Sequence, residues 1–113
     1  MKVAIPRVDD HIAPRFEHSA TITIYTIRDR KVFESTDISL QSQEALDRVR
    51  LLRDQGVATL ICGGIERATE SILIASGIDT ITWVSGSVEE LLTLFVKGRL
   101  VSNSSDQPPP HKI

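Results

Sequence analysis

Residues 57–62, V-A-T-L-I-C, form an almost unbroken apolar run that stops at Gly63-Gly64. A short run that is apolar on both of its alternating faces suits a strand covered from both sides. Strands of that kind belong to parallel sheets with helices packed on each face. The flanking sequence agrees. Residues 43–55 carry Leu46, Val49 and Leu52 at helical spacing, with Ser42 placed to cap the helix and Gly56 to end it. Residues 66–76 read as a second helix stopped by Gly77, and residues 78–84 as another short strand. S-G-S at 85–87 then turns the chain into a last helix ended by Gly98, and Ser87 with Glu90 makes an S-x-x-E capping box. Helices alternating with strands in this order require right-handed crossovers and parallel pairing.

The front half has a different rhythm. K-V-A-I-P at 2–6 is a first strand. Residues 20–27 place Ile22 and Ile24 on one face and Thr21, Thr23 and Tyr25 on the other, a period of two. After a polar turn at 28–30, residues 31–39 resume as a more polar strand suited to a sheet edge. The expected architecture is therefore α/β in the order β-β-β-α-β-α-β-α, a five-stranded mixed sheet sandwiched between helices. One domain spans 1–101. The segment 102–113, S-N-S-S-D-Q-P-P-P-H-K-I, cannot continue a helix or pair in a sheet and is expected to be a disordered tail.

Composition removes several classes of function. A net charge of −2 provides no basic face for nucleic acid. The single cysteine, Cys62, rules out an intrachain disulfide. No run approaches the roughly 18–20 apolar residues of a membrane span, and the N-terminal M-K-V-A-I-P meets proline and charge too early for a signal peptide. A cytoplasmic protein with neither nucleic acid nor membrane as partner is the expectation.

In an open sheet of this kind ligands bind beyond the carboxyl ends of the parallel strands. Three connections leave that edge: R-V-D-D-H-I-A-P-R-F-E-H-S at 7–19, C-G-G-I-E at 62–66 and V-S-G-S-V-E-E at 84–90. The last two bring glycines and helix N-termini, whose unpaired N–H groups favour anions. Gly63 and Gly64 serve equally as turn residues and as backbone contacts to a ligand, whereas turn and cap chemistry alone accounts for Ser85 and Gly86, which are also candidate contacts. Cys62 fits core packing and also fits a soft ligand at the loop edge. His11 and His18 are candidate imidazole ligands, although their spacing matches no zinc motif. Arg7 and Arg15 are anion-binding candidates. Asp9 and Asp10 lack the further carboxylates of a two-metal site.

K-V-A-I-P, I-A-P-R-F-E-H-S, L-I-C-G-G-I and S-G-S-V-E-E occur here in order. This series resembles the dinitrogenase iron–molybdenum cofactor biosynthesis family, the small domains of NifX and of the NifB C-terminus, over roughly residues 1–100. The resemblance implies a ribonuclease H-like three-layer α/β/α fold. It also implies a non-enzymatic role, the transient binding or escort of an iron–sulfur or iron–molybdenum cluster, with a cluster donor or acceptor protein as partner. Cys62, His18 and His11 would then be metal ligands, and Arg15, Gly63, Gly64, Ser85 and Gly86 would complete the cradle, in a monomer or homodimer. Cofactor-carrying members tend to have histidine, phenylalanine and glycine where this chain has Arg15, Phe16 and Glu17. A guanidinium cannot ligate iron but can hold sulfides or a carboxylate. One thiolate per chain allows only weak ligation of such a cluster. The alternative is a metal-free module for a small anionic metabolite or a regulatory partner. A hydrolase stands third, because no nucleophile–base pair is present.

Overall fold

The computed structural model describes residues 1–40 and 44–103. Its strands are β1 (Lys2–Val8), β2 (His11–Ile12), β3 (Thr21–Arg28), β4 (Lys31–Ser39), β5 (Thr59–Ile61) and β6 (Asp79–Ile81). Its helices are α1 (Ala45–Asp54), α2 (Arg67–Ala75) and α3 (Val88–Val96), with a 3-10 turn at Phe16–His18. The sheet runs β4-β3-β1-β5-β6, and β2 pairs with β1 beside that path. β1 is antiparallel to β3 and parallel to β5, and β5 is parallel to β6, so the sheet is mixed as the sequence pattern requires.

Among the described residues six strands stand where five were expected, because the opening segment folds back on itself. Asp9 adopts a left-handed φ of 51°, a conformation aspartate tolerates better than most residues. The resulting turn pairs Arg7 with Ile12 and Val8 with His11. Asp9 and Asp10 are thus turn residues at a hairpin tip.

Helices cover both faces. Ala4, Ile22, Ile24 and Leu60 pack with Val49, Leu52 of α1 and Leu73 of α2. On the opposite face Val3, Ile5, Tyr25 and Ile61 pack with Val88, Leu91 and Leu92 of α3. The alternation of β3, Ile22 and Ile24 to one side and Tyr25 and Ile27 to the other, is what feeds both layers.

β4 lies at the sheet edge, as its polarity predicts. Its register against β3 shifts between Thr26–Glu34 and Ile27–Val32, leaving Phe33 as the extra residue of a bulge. A bulge twists an edge away from strand pairing with other chains. The exposed Phe33 ring is covered by the Arg28 guanidinium, 4.2 Å from its centroid.

Three details depart from the sequence reading. Leu46 is 51% exposed, while Arg48 is 2% exposed. The helix turns residues 45, 48, 49 and 52 inward, and Leu46 falls about a third of a turn away from that stripe. The expected cap Ser42 lies outside the described residues, and Glu44 occupies the N-cap position of α1 without a side-chain cap bond. Finally, the first two residues of the expected tail are bonded to Thr82, just beyond β6. The Thr82 N–H donates to Ser102 Oγ at 2.8 Å, and the Asn103 N–H donates to the Thr82 carbonyl at 2.9 Å. The rest of the tail lies outside the described residues.

The capping box has its expected geometry on the Ser87 side, where the Glu90 N–H donates to Ser87 Oγ at 3.0 Å. Ser87→Ala should lower stability by about 1 kcal/mol. Urea unfolding would read this as a lower midpoint at constant slope, and an unchanged midpoint would remove the cap's assigned role.

Candidate functional site

The three connections at the carboxyl edge of the sheet are joined by backbone hydrogen bonds. The Phe16 N–H donates to the Gly64 carbonyl at 2.8 Å, and the Gly64 N–H donates to the Pro14 carbonyl at 2.7 Å. Arg15 is thereby held as a parallel bridge against Gly64. On the other side the Ile12 N–H donates to the Gly86 carbonyl, the Val88 N–H donates to the Asp10 carbonyl, and His11 bridges Ser87. The Trp83 N–H donates to the Gly63 carbonyl at 2.9 Å, closing the group.

Close approach is why both glycines are there. A Cβ on Gly63 would lie 2.7 Å from the Ala13 carbonyl oxygen and 2.8 Å from that of Pro14. A Cβ on Gly64 would meet the Trp83 ring at 3.3 Å. Trp83 itself holds a left-handed φ of 62°, an uncommon conformation for a bulky residue. The glycine pair serves loop docking, and the Gly64 N–H that could have met a ligand is spent on Pro14.

Helix α2 has an internal anion at its N-terminus. Glu17, 6% exposed, turns inward from the 3-10 turn, and its Oε2 accepts from the Glu66 N–H at 3.0 Å. Arg48 reaches the same turn from α1, its Nη1 donating to the carbonyls of Phe16 at 3.0 Å and Ser19 at 2.7 Å and to Ser19 Oγ at 3.0 Å. Burial pulls the Arg48 guanidinium below its usual pKa, and the Glu17 carboxylate acts against that pull. Glu17 Oε1 and Arg48 Nε have no hydrogen-bond partner among the described residues. With these two side chains inside, Arg15 and His18 are left exposed on the outside of the same turn.

Cys62 is fully enclosed. It belongs to the cluster that contains Phe16, Leu60 and Ile65 and has no exposed surface. Burial pushes its thiol far above the usual range, and the like charges of Glu17 and Glu70 push the same way. Of the other expected site residues, Gly63 and Gly64 are buried, Gly86 is half-buried, and Ser85 and His11 are exposed. No group of three or more His, Cys, Asp or Glu side chains among the described residues is arranged to hold a metal ion.

One cleft opens beside the joined loops. It has a volume of about 520 Å³ and lies between the β1–β2 turn, Tyr25 and the first turn of α3. His11 and Ser87 line it together with Arg7, Glu89 and Leu92, whereas Arg15, His18 and Cys62 do not. Sequence reasoning placed His11 and Arg7 near the edge but missed Tyr25, Trp83, Glu17 and Arg48. A lone tryptophan just before S-G-S was the available signal for Trp83; an arginine at a core position of the α1 stripe was the signal for Arg48.

A mixed sheet covered on both faces, with its edge loops laced together and a cleft beside them, makes this a small α/β domain. The chain belongs to the dinitrogenase iron–molybdenum cofactor family, whose model matches residues 1–98. Membership associates it with the biosynthesis or binding of that cofactor. The fold is shared with the crystal structure of PH0822 at a TM-score of 0.85 and 24% identity, over 93% of this chain and 96% of that one. MJ0327 from Methanocaldococcus jannaschii is similar at a TM-score of 0.75 and 25% identity, covering 92% of this chain and 95% of its own. The apo form of the orange protein from Desulfovibrio gigas is similar at 0.74 and 18% identity, covering 91% and 92%. Among curated proteins the chain has no match. No helix of the described residues is long and apolar enough to cross a membrane.

The enclosed thiol has a measurable signature. Native protein should resist a disulfide reagent such as dithiobis(nitrobenzoate), while guanidinium-unfolded protein should release one equivalent per chain. A folded pKa above the unfolded value of about 8.5 means that the unfolded chain binds fewer protons above that pH. Stability should therefore be insensitive to this group below about pH 8.5 and fall as the pH rises beyond it. Cys62→Ala should flatten that alkaline slope. Native labelling as fast as in the unfolded chain would place the thiol elsewhere.

Proposed function

We propose that this chain binds or escorts, without catalysing a reaction, an iron–sulfur or iron–molybdenum type cluster during cofactor assembly in the cytoplasm. The observation that carries this reading is the family match over residues 1–98. The sheet path β4-β3-β1-β5-β6 suits a ribonuclease H-like reading of the fold, in which the carboxyl edge is the ligand edge.

In this proposal the joined loops form a lip, and the cargo meets it from outside. His18 and His11 offer imidazole ligands, and Arg15 offers charge-assisted hydrogen bonds to sulfide or carboxylate. Ser85 and Gly86 supply the remaining contacts from the third loop, and Gly63 and Gly64 shape the wall behind them. Cys62 joins the ligand set only in a state where the Arg15–Gly64 seam has parted, since the thiol otherwise stays protonated and enclosed. A few ligands hold a cluster weakly, which is what delivery to an acceptor protein requires. The carrier acts as a monomer or homodimer.

Anaerobic reconstitution with iron and sulfide, followed by desalting, tests this. Visible absorbance should stay with the wild-type chain, fall by most of its intensity in the His11→Ala/His18→Ala double variant, and persist in Cys62→Ala. A wild-type chain that retains no more chromophore than a buffer blank would end the carrier reading.

A further inference from the structure

The cleft beside α3 is built differently from the lip. At its base the Arg7 guanidinium is fixed in place: its Nε donates to the Asp9 carbonyl at 2.7 Å and its Nη1 donates to the Tyr25 hydroxyl at 3.3 Å. The Nη2 makes only a loose ion pair with Asp10 Oδ1, at 3.9 Å and so longer than a hydrogen bond, and the Asp10 side chain is 93% exposed and can swing away. Tyr25 is buried on the α3 face of the sheet, and because its oxygen accepts from Arg7 its own proton is free to be donated. Two oriented donors, one cationic and one neutral, thus converge on a cavity of about 520 Å³. That is the size of a small-molecule site. One wall is apolar, made by Val88 and Leu92. Asp10 and Glu89 stand at the rim.

We infer that this cleft is a binding site for a small organic monocarboxylate, its carboxylate on Arg7 Nη2 and the Tyr25 hydroxyl and its apolar arm along Val88 and Leu92. The donor pair matches the two oxygens of a carboxylate, and the charged partner makes such hydrogen bonds stronger than neutral ones. The two rim carboxylates repel a second negative charge, which selects against dicarboxylates and phosphates. The apolar wall favours a branched or aliphatic arm over a hydroxylated one. The carboxylate contacts use no thiol or imidazole; His11, which lines this cleft, also belongs to the proposed cluster ligands, so the chelator in the test keeps the two readings apart.

The test uses 15N-labelled protein with chelator present, titrated with 4-methylpentanoate, its neutral amide 4-methylpentanamide, and the dianion glutarate. The acid should shift the Arg7 side-chain, His11 and Glu89 signals saturably, and the amide and glutarate should each bind at least about tenfold more weakly. Arg7→Met should abolish saturation, and Tyr25→Phe should weaken it about tenfold. Unchanged Trp83 emission would show that each variant is folded. If Arg7→Met does not fold, the Tyr25→Phe variant and the acid–amide comparison decide the matter. No saturable shift with 4-methylpentanoate, equal binding of acid and amide, or binding unaltered in the folded variants would overturn the inference.

Discussion

Two backbone hydrogen bonds, Phe16 N–H to the Gly64 carbonyl and Gly64 N–H to the Pro14 carbonyl, organise the carboxyl edge of this sheet. They are possible because the chain at Gly63 comes so close to the Ala13 and Pro14 carbonyls that no side chain fits. The arrangement around Arg15 follows from that approach. Phe16 is driven into the core over Cys62, so the thiol is sealed. The turn that follows must face Glu17 inward, and Arg15 and His18 remain outside.

The same turn explains a buried charge pair that the core would otherwise avoid. Taking a carboxylate and a guanidinium out of water is costly, and replacing such pairs with apolar residues is often neutral or stabilising. Here neither side chain is spent mainly on the other. Glu17 serves the N-terminus of α2, and Arg48 gathers the Phe16 and Ser19 carbonyls from α1. Each thus ties the opening loop to a different helix, and the loop is clamped from two sides. That desolvation secures the opening loop, with Arg15 and His18 exposed outside it. An external anion has no claim on the start of α2, because the protein's own carboxylate is already there.

Much of the fold was legible in the sequence because its signals are local. Alternation in 20–27, the apolar run at 57–62 and the S-x-x-E box each follow from spacing alone, and the structure gives them as β3, the strand β5 within that run, and the capped α3. What the sequence hid depends on tertiary context. β2 exists only because Asp9 takes a left-handed turn. The exchange of Leu46 for Arg48 in the core keeps the helical period but puts a charge in it, and what makes that tolerable, the Phe16 and Ser19 carbonyls, comes from a distant loop. Cys62 was legible as a residue at the end of a buried strand, but the loop that closes over it was not. The convergence of the three connections was legible from topology; that they would consume one another's N–H and carbonyl groups was not.

The resulting edge has two unlike parts: a lip bearing exposed Arg15 and His18, and a cleft with a fixed guanidinium at its base. Both depend on the opening segment being held, the first through the glycine seam and the second through the bonds of Ile12 to Gly86 and of Asp10 to Val88 at the start of α3. The most direct measurement of that dependence is amide hydrogen exchange in Gly63→Ala. The added methyl meets backbone oxygens that cannot move independently, at a cost of about 1–3 kcal/mol. Protection of the Phe16 and Gly64 amides should collapse while that of β3 and α3 is retained. Wild-type protection at Phe16 and Gly64 in the variant would contradict the claim that glycine packing holds the carboxyl edge together.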